Sequence, residues 1–118
     1  MSDKIEVYHN PRCRKSREAL AYLRERNIEP EVIEYLKKMP TAEEIKKVLA
    51  KLDMPVEKLI RKEERVFKEK YKGKDFTTEE WIEIMRENPK LIQRPIIMNR
   101  KKAVIGRPAE NIDQIISE

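Results

Sequence analysis

The 118 residues contain a single cysteine, Cys13, and a single histidine, His9. With no second thiol, an intramolecular disulfide is excluded, and a reducing compartment is the natural setting. With no second histidine, a Cys-His-Asp relay has nothing to be built from beyond His9 itself, and no metal site is expected. No apolar run approaches the roughly 20 residues that a membrane span needs. MSDKIEVYHN lacks the apolar core of a secretory signal, so a cytoplasmic location without a membrane partner is expected. Internal repeats, low-complexity tracts, linkers and tails of like charge are also missing. One domain over residues 1–118 is the expected organisation.

Charge is abundant. Twenty-seven basic residues are interleaved with 22 acidic ones, for a formal net charge of +5. That balance describes solvated helix faces rather than a nucleic-acid footprint, and no groove-entering motif stands out. Nucleic acid ranks last among possible partners.

The period of the apolar residues divides the chain. IEVYH (5–9) alternates and reads as a strand. Asn10 and Pro11 then signal a turn, and Ser16, Ala19, Leu20 and Leu23 share one face of a following helix. PEVIEYL (30–36) is a second strand, so the first third is a β-α-β unit with parallel pairing. The middle, about 37–90, reads as a helical insert. Thr41 with Glu44 and Thr77 with Glu80 form capping boxes. Ile45, Val48, Leu49 and Leu52 make one inward stripe, and Trp81, Ile84 and Met85 another. Pro55 opens a short helix, and Phe67 and Tyr71 are possible anchors in the charged stretch 62–74. RPIIMN (94–99) and KAVIG (102–106) read as a hairpin, and Pro108 as the start of a last helix with Ile112, Ile115 and Ile116. The expected class is α/β, ordered β-α-β, helical insertion, β-β-α, with a mixed sheet flanked by helices.

HNPRCRKS (9–16) is where chemistry concentrates. Cys13 stands between the end of a strand and the start of a helix, where open α/β folds place ligands. A helix N-terminus offers free N–H groups and positive potential, which favour a thiolate and bind oxyanions. Arg12, Arg14, Lys15 and Arg17 add positive charge, and Ser16 is a candidate hydrogen-bond donor to the sulfur. His9 is a candidate for orienting or tuning the thiolate. Arg94 and Arg107 each directly precede a proline. Arg94-Pro95 is a candidate cis peptide whose turn would face the first helix's N-terminus, directing Arg94 toward the thiol. Arginine offers a planar fork suited to oxyanions.

HNPRCRKS, RPIIM and IGRPAE, in this order, resemble the arsenate reductases that depend on glutathione and glutaredoxin. Related uncharacterised bacterial proteins and Spx-type regulators belong to the same group, and the resemblance runs from Ile5 to Ile116. It implies a thioredoxin-like fold carrying the helical insert. It implies Cys13 as the nucleophile toward an oxyanion, with His9 and Ser16 tuning its thiolate. Three arginines would surround the anion, and Arg61 in LIRKEE, Arg94 and Arg107 match them. No bound cofactor is implied: glutathione would serve as external reductant and glutaredoxin as partner. Arg14 and Lys15 stand where the characterised arsenate reductases carry small or neutral residues, so CRKS looks more like the uncharacterised relatives.

The function expected is a thiol-dependent oxidoreductase of the arsenate reductase kind. Two alternatives come from other classes. One is an Spx-type regulator binding RNA polymerase, although Ser16 occupies the second position of that group's usual Cys-x-x-Cys switch. The other is a glutathione-handling protein of monothiol glutaredoxin character, without oxyanion chemistry.

Overall fold

Two-residue spacing gives way to helical spacing after His9, and the backbone changes with it. A computed structural model describes residues 4–116. In chain order its elements are β1 (Glu6–His9), α1 (Arg14–Arg24), β2 (Glu31–Glu34), α2 (Ala42–Leu52), α3 (Arg65–Lys70), α4 (Thr78–Glu87), β3 (Ile96–Met98), β4 (Ala103–Ile105) and α5 (Asp113–Ile116). Short 3₁₀ turns lie at Val56–Leu59, Pro89–Leu91 and Ala109–Ile112. The chain forms two units, one from the sequence up to Met39 and from Arg94 onward, the other Pro40–Gln93. The helical unit therefore starts and stops a few residues later than the stretch 37–90 read from the sequence.

The first unit is built on a mixed sheet in the order β2-β1-β3-β4. β1 runs parallel to β2, with Val7 opposite Val32, and antiparallel to β3, with Val7 opposite Ile97. β3 and β4 close the antiparallel hairpin, with Ile97 opposite Val104. β3 is buried along its whole length, as a central strand covered on both faces should be, and its IIM run has no polar alternation. The edge strand β2 carries Glu31 and Glu34 instead, and Lys4 pairs with Glu31. α1 lays Ser16, Ala19, Leu20 and Leu23 inward, the face expected from its spacing. Ala19, Leu20 and Leu23 join Val7, Ile97, Ile112 and Ile115 in one core cluster. Asn27 lets the chain leave α1 in a left-handed conformation, φ 62°, so that the Ile28 amide reaches the Leu23 carbonyl at 3.0 Å. Tyr22 donates to Asp113 at 2.6 Å, tying α1 to α5. The last helix differs from its sequence reading. Pro108 precedes the helical turns rather than opening them, and the segment begins as 3₁₀ before α5 forms.

The second unit is helical because both capping boxes form. Thr41 Oγ1 accepts the Glu44 amide at 3.1 Å, and Glu44 accepts the Thr41 amide at 2.8 Å; Thr77 and Glu80 repeat both distances. Each box stabilises its helix by about 1 kcal/mol. α2 packs on α4. Trp81 gathers an aromatic cluster from Phe67 (6.1 Å), Tyr71 (6.2 Å) and Phe76 (4.8 Å between centroids). Ile82, fully buried on α4, also belongs inside, beside the three residues that the spacing had marked.

Both Arg94-Pro95 and Arg107-Pro108 are cis. The two turns meet at Gly106, whose amide donates to the Pro95 carbonyl at 2.9 Å. A Cβ on Gly106 would stand 2.6 Å from Ile97 Cδ1 and 3.2 Å from Pro95 Cγ. Ile97 is fully buried and has little room to yield. Gly106→Ala is therefore expected to destabilise the fold by about 1–3 kcal/mol, read as a lowered midpoint of thermal or urea unfolding.

Candidate active site

The loop leaving β1 is shaped by Asn10. Its side-chain Oδ1 accepts the Arg12 amide at 3.0 Å, and its carbonyl accepts the Cys13 amide at 2.9 Å. Its own amide donates to Ser16 Oγ at 3.3 Å, which ties the loop to the first turn of α1. These bonds place Cys13 at the N-cap of α1 in an extended conformation, φ −94° and ψ 122°. The sulfur thus stands over the open end of the helix.

Burial alone would push the Cys13 thiol up. A hydrogen bond from Arg94, the backbone N–H groups of Ser16 and Lys15, and the Arg94 charge outweigh it, bringing the thiol down to about 6. Arg107 Nη2 stands 3.9 Å from the sulfur, with its side chain exposed. Two guanidinium groups from the two Arg-Pro turns and two first-turn amides therefore converge on one sulfur. Such an arrangement keeps a nucleophilic thiolate at neutral pH and leaves donors that suit an oxyanion beside it.

The other marked residues are placed differently. Ser16 is fully buried; its backbone N–H lowers the thiol's pKa, and its hydroxyl oxygen accepts from the Asn10 amide. His9 is only 5% exposed, and its Nδ1 has no hydrogen-bond partner among the described residues. Burial lowers its pKa, with Arg24 and Arg17 acting the same way and Glu34, its neighbour across the sheet, opposing them. His9 is thus a neutral ring under the loop. Arg61 belongs to the helical unit, where its guanidinium meets Glu64 at 3.0 Å and Glu63 at 3.3 Å. Arg14 and Lys15 both point at Glu18, at 3.6 and 3.4 Å, and Arg17 donates to the Pro11 carbonyl. Much of the loop's positive charge is therefore answered locally. Among the described residues no three His, Cys, Asp or Glu side chains are grouped to hold a metal ion. The sequence marked Asn10 only as a turn residue; its three hydrogen bonds, which hold the loop on α1, escaped that reading.

Two measurements check these electrostatics. The rate of Cys13 alkylation by a neutral reagent should rise with pH to half its maximum near pH 6. In Arg94→Ala that midpoint should move toward the ordinary thiol value of about 8.5. For His9 the sign runs the other way from a histidine that gains a partner. Its folded pKa lies below its unfolded value, so its contribution to stability is present above about pH 6.5 and is lost as pH falls, because the unfolded chain takes up a proton that the fold refuses. His9→Asn should accordingly lose less thermal stability than the parent between about pH 7 and about pH 5.

The family model described as "ArsC family" matches residues 8–115. An uncharacterized protein of Escherichia coli, YfgD, is 41% identical over 118 residues, covering 98% of this chain and 99% of its own. A protein of Neisseria meningitidis named arsenate reductase is 35% identical over 115 residues, covering 96% of this chain and 98% of its own. The solved structure of the arsenate reductase from Vibrio cholerae superimposes with a TM-score of 0.92 at 37% identity, over 98% of this chain and 100% of that one. The thioredoxin-like α/β fold implied by the motifs is shared with these neighbours. With the match running from the end of β1 through α5, the chain belongs to the ArsC family.

Proposed function

We propose that this protein is a thiol-dependent oxidoreductase that reduces a small oxyanion, arsenate before others, with glutathione and glutaredoxin completing the cycle in the cytoplasm. The observation that carries the proposal is the convergence of Arg94 and Arg107 on a Cys13 thiolate at the head of α1. Relatives named arsenate reductase at 35% identity over nearly the whole chain support the choice of anion.

In the first step the Cys13 thiolate attacks the arsenic of arsenate, and an oxygen leaves as water after protonation. Arg94 and Arg107 offset the charge on the remaining oxygens, and the amides of Ser16 and Lys15 hold the sulfur in line. A glutathione thiolate then supplies the second sulfur. As the bond to arsenic breaks, the two sulfurs join as a mixed disulfide, and arsenic keeps the electron pair as arsenite. Glutaredoxin takes the glutathionyl group and returns Cys13 as a thiolate. One thiol in the chain is enough because the second comes from outside.

His9 and Ser16 enter as supports. His9 is a buried ring at the end of β1 that resists protonation, and Ser16 fastens Asn10 to α1. Arg61 is carried over from the family resemblance as the third arginine; within the helical unit Glu63 and Glu64 already engage its guanidinium. Its removal should cost less than removal of Arg94.

The test is NADPH oxidation in a coupled assay containing arsenate, glutathione, glutaredoxin and glutathione reductase. Arsenate-dependent turnover should be abolished in Cys13→Ser and should fall by about 10²-fold or more in Arg94→Ala, with a smaller loss in Arg61→Ala. Turnover of glutathionylated substrates that survives Arg94→Ala and Arg107→Ala, with no arsenate turnover in the parent, would replace this reading with a glutathione-handling one.

A further inference from the structure

Arg107 raises a mechanical question. Its side chain is exposed, so packing does not hold the guanidinium near the sulfur; only the course of its backbone can. That backbone is anchored on both sides. On one side the Gly106 amide donates to the Pro95 carbonyl at 2.9 Å. On the other side stands Asn111, in the 3₁₀ turn Ala109–Ile112.

The carboxamide nitrogen of Asn111 has two hydrogens to give. Its Nδ2 lies 3.1 Å from the Ile105 carbonyl oxygen and 3.2 Å from the Arg107 carbonyl oxygen, so both are spent on main-chain acceptors on either side of Gly106. The Arg107 amide also donates to the Ile105 carbonyl, at 2.9 Å, and the Asn111 amide donates to the Pro108 carbonyl at 3.0 Å. Asn111 itself cannot drift, because its neighbour Ile112 is fully buried in the core cluster with Val7 and Leu23. The side chain is thus a strut between that core and the cis turn that carries Arg107.

We infer that Asn111 is a positioning residue of the anion site, acting only through Arg107 by clamping the turn Ile105–Arg107 with its carboxamide. The inference rests on the reading of Arg107 as an anion-binding group. It adds that the site's affinity for negative charge is set partly by a side chain that touches neither the anion nor the sulfur. Replacing the carboxamide by an apolar group of similar size takes one donor from each carbonyl, leaving the Ile105 carbonyl with the Arg107 amide alone, and the turn relaxes toward water.

The test compares alkylation of Cys13 by iodoacetate, which is anionic, and iodoacetamide, which is neutral. The ratio of the two rates reports cations near the sulfur and needs no knowledge of the substrate. Arg107→Ala should lower the ratio by about two- to fivefold, the worth of one exposed charge contact. Asn111→Leu should lower it to a similar extent, Asn111→Ser by less, and Asn111→Leu/Arg107→Ala no further than Arg107→Ala alone. The pH midpoint of the iodoacetamide reaction should stay near 6 throughout, since Arg94 and the first-turn amides are untouched. A role limited to stability would lower the unfolding midpoint and leave the ratio alone. An unchanged ratio in both well-folded Asn111 variants overturns the inference, as does a double variant whose loss is the product of the two single losses. An unchanged ratio in Arg107→Ala overturns it too, by removing the group through which Asn111 is held to act. If the ratios behave as expected while arsenate turnover is absent, the oxyanion-reductase reading fails and the assignment of Asn111 stands.

Discussion

A charged sulfur at the end of a helix survives only where donors outweigh the cost of leaving water. At Cys13 the balance rests above all on one hydrogen bond, from Arg94. The surrounding architecture can be understood as the means of delivering that guanidinium. Arg94 stands two residues before β3, a strand buried along its whole length and paired on both sides. α1 and β1 present the sulfur from the opposite direction, through a loop held by Asn10. The contact is made only where both elements deliver their side chains to one place, so the seating of the sheet and thiol ionisation are linked.

The two Arg-Pro turns divide the work. Arg94 is partly buried and hydrogen-bonded to the sulfur, whereas Arg107 is exposed and reaches it at 3.9 Å. A sheltered guanidinium acts on the ground state of the nucleophile, because little water competes with it. An exposed one is screened and matters most to an ion arriving from solution. Gly106 joins the turns, so the two roles share one backbone. The first turn of α1 adds its own restraint on charge. Glu18 answers both Arg14 and Lys15, so a loop that looks strongly basic in the sequence is nearer to neutral a few residues from the thiol.

What could be read from the sequence was what depends on neighbours along the chain. The inward stripes of α1 and α2 and both capping boxes follow from spacing alone, and each formed where the spacing put it. The Cys13 environment was legible in kind, because a strand-to-helix junction supplies free amides whatever their side chains. What escaped depends on the path of the backbone through space. Ser16 looked like a hydroxyl donor to sulfur; what the sequence did not show is that its amide also favours the thiolate and that its hydroxyl oxygen holds the Asn10 amide. Asn111 looked like any polar residue between Glu110 and Ile112, since its partners are main-chain carbonyls that side-chain identity does not mark. Ile82 lies off the stripe that helical periodicity marks, and tertiary burial alone brings it inside. Arg61 was singled out by resemblance. Glu64, three residues on, was a sign in the sequence itself that its charge would find a nearby answer.

Ser16 has a consequence beyond its hydrogen bonds. It occupies, fully buried, the position from which a second sulfur would face Cys13. A protein with a facing pair of thiols carries a redox couple whose balance is a property of the fold, independent of concentration. Here there is no such couple. The oxidised form of Cys13 exists only as a bond to some other molecule, and its abundance scales with how much of that molecule is present. The standing of this thiol is thus set less by a potential written into the polypeptide than by the thiol pool around it, and dilution alone would shift it.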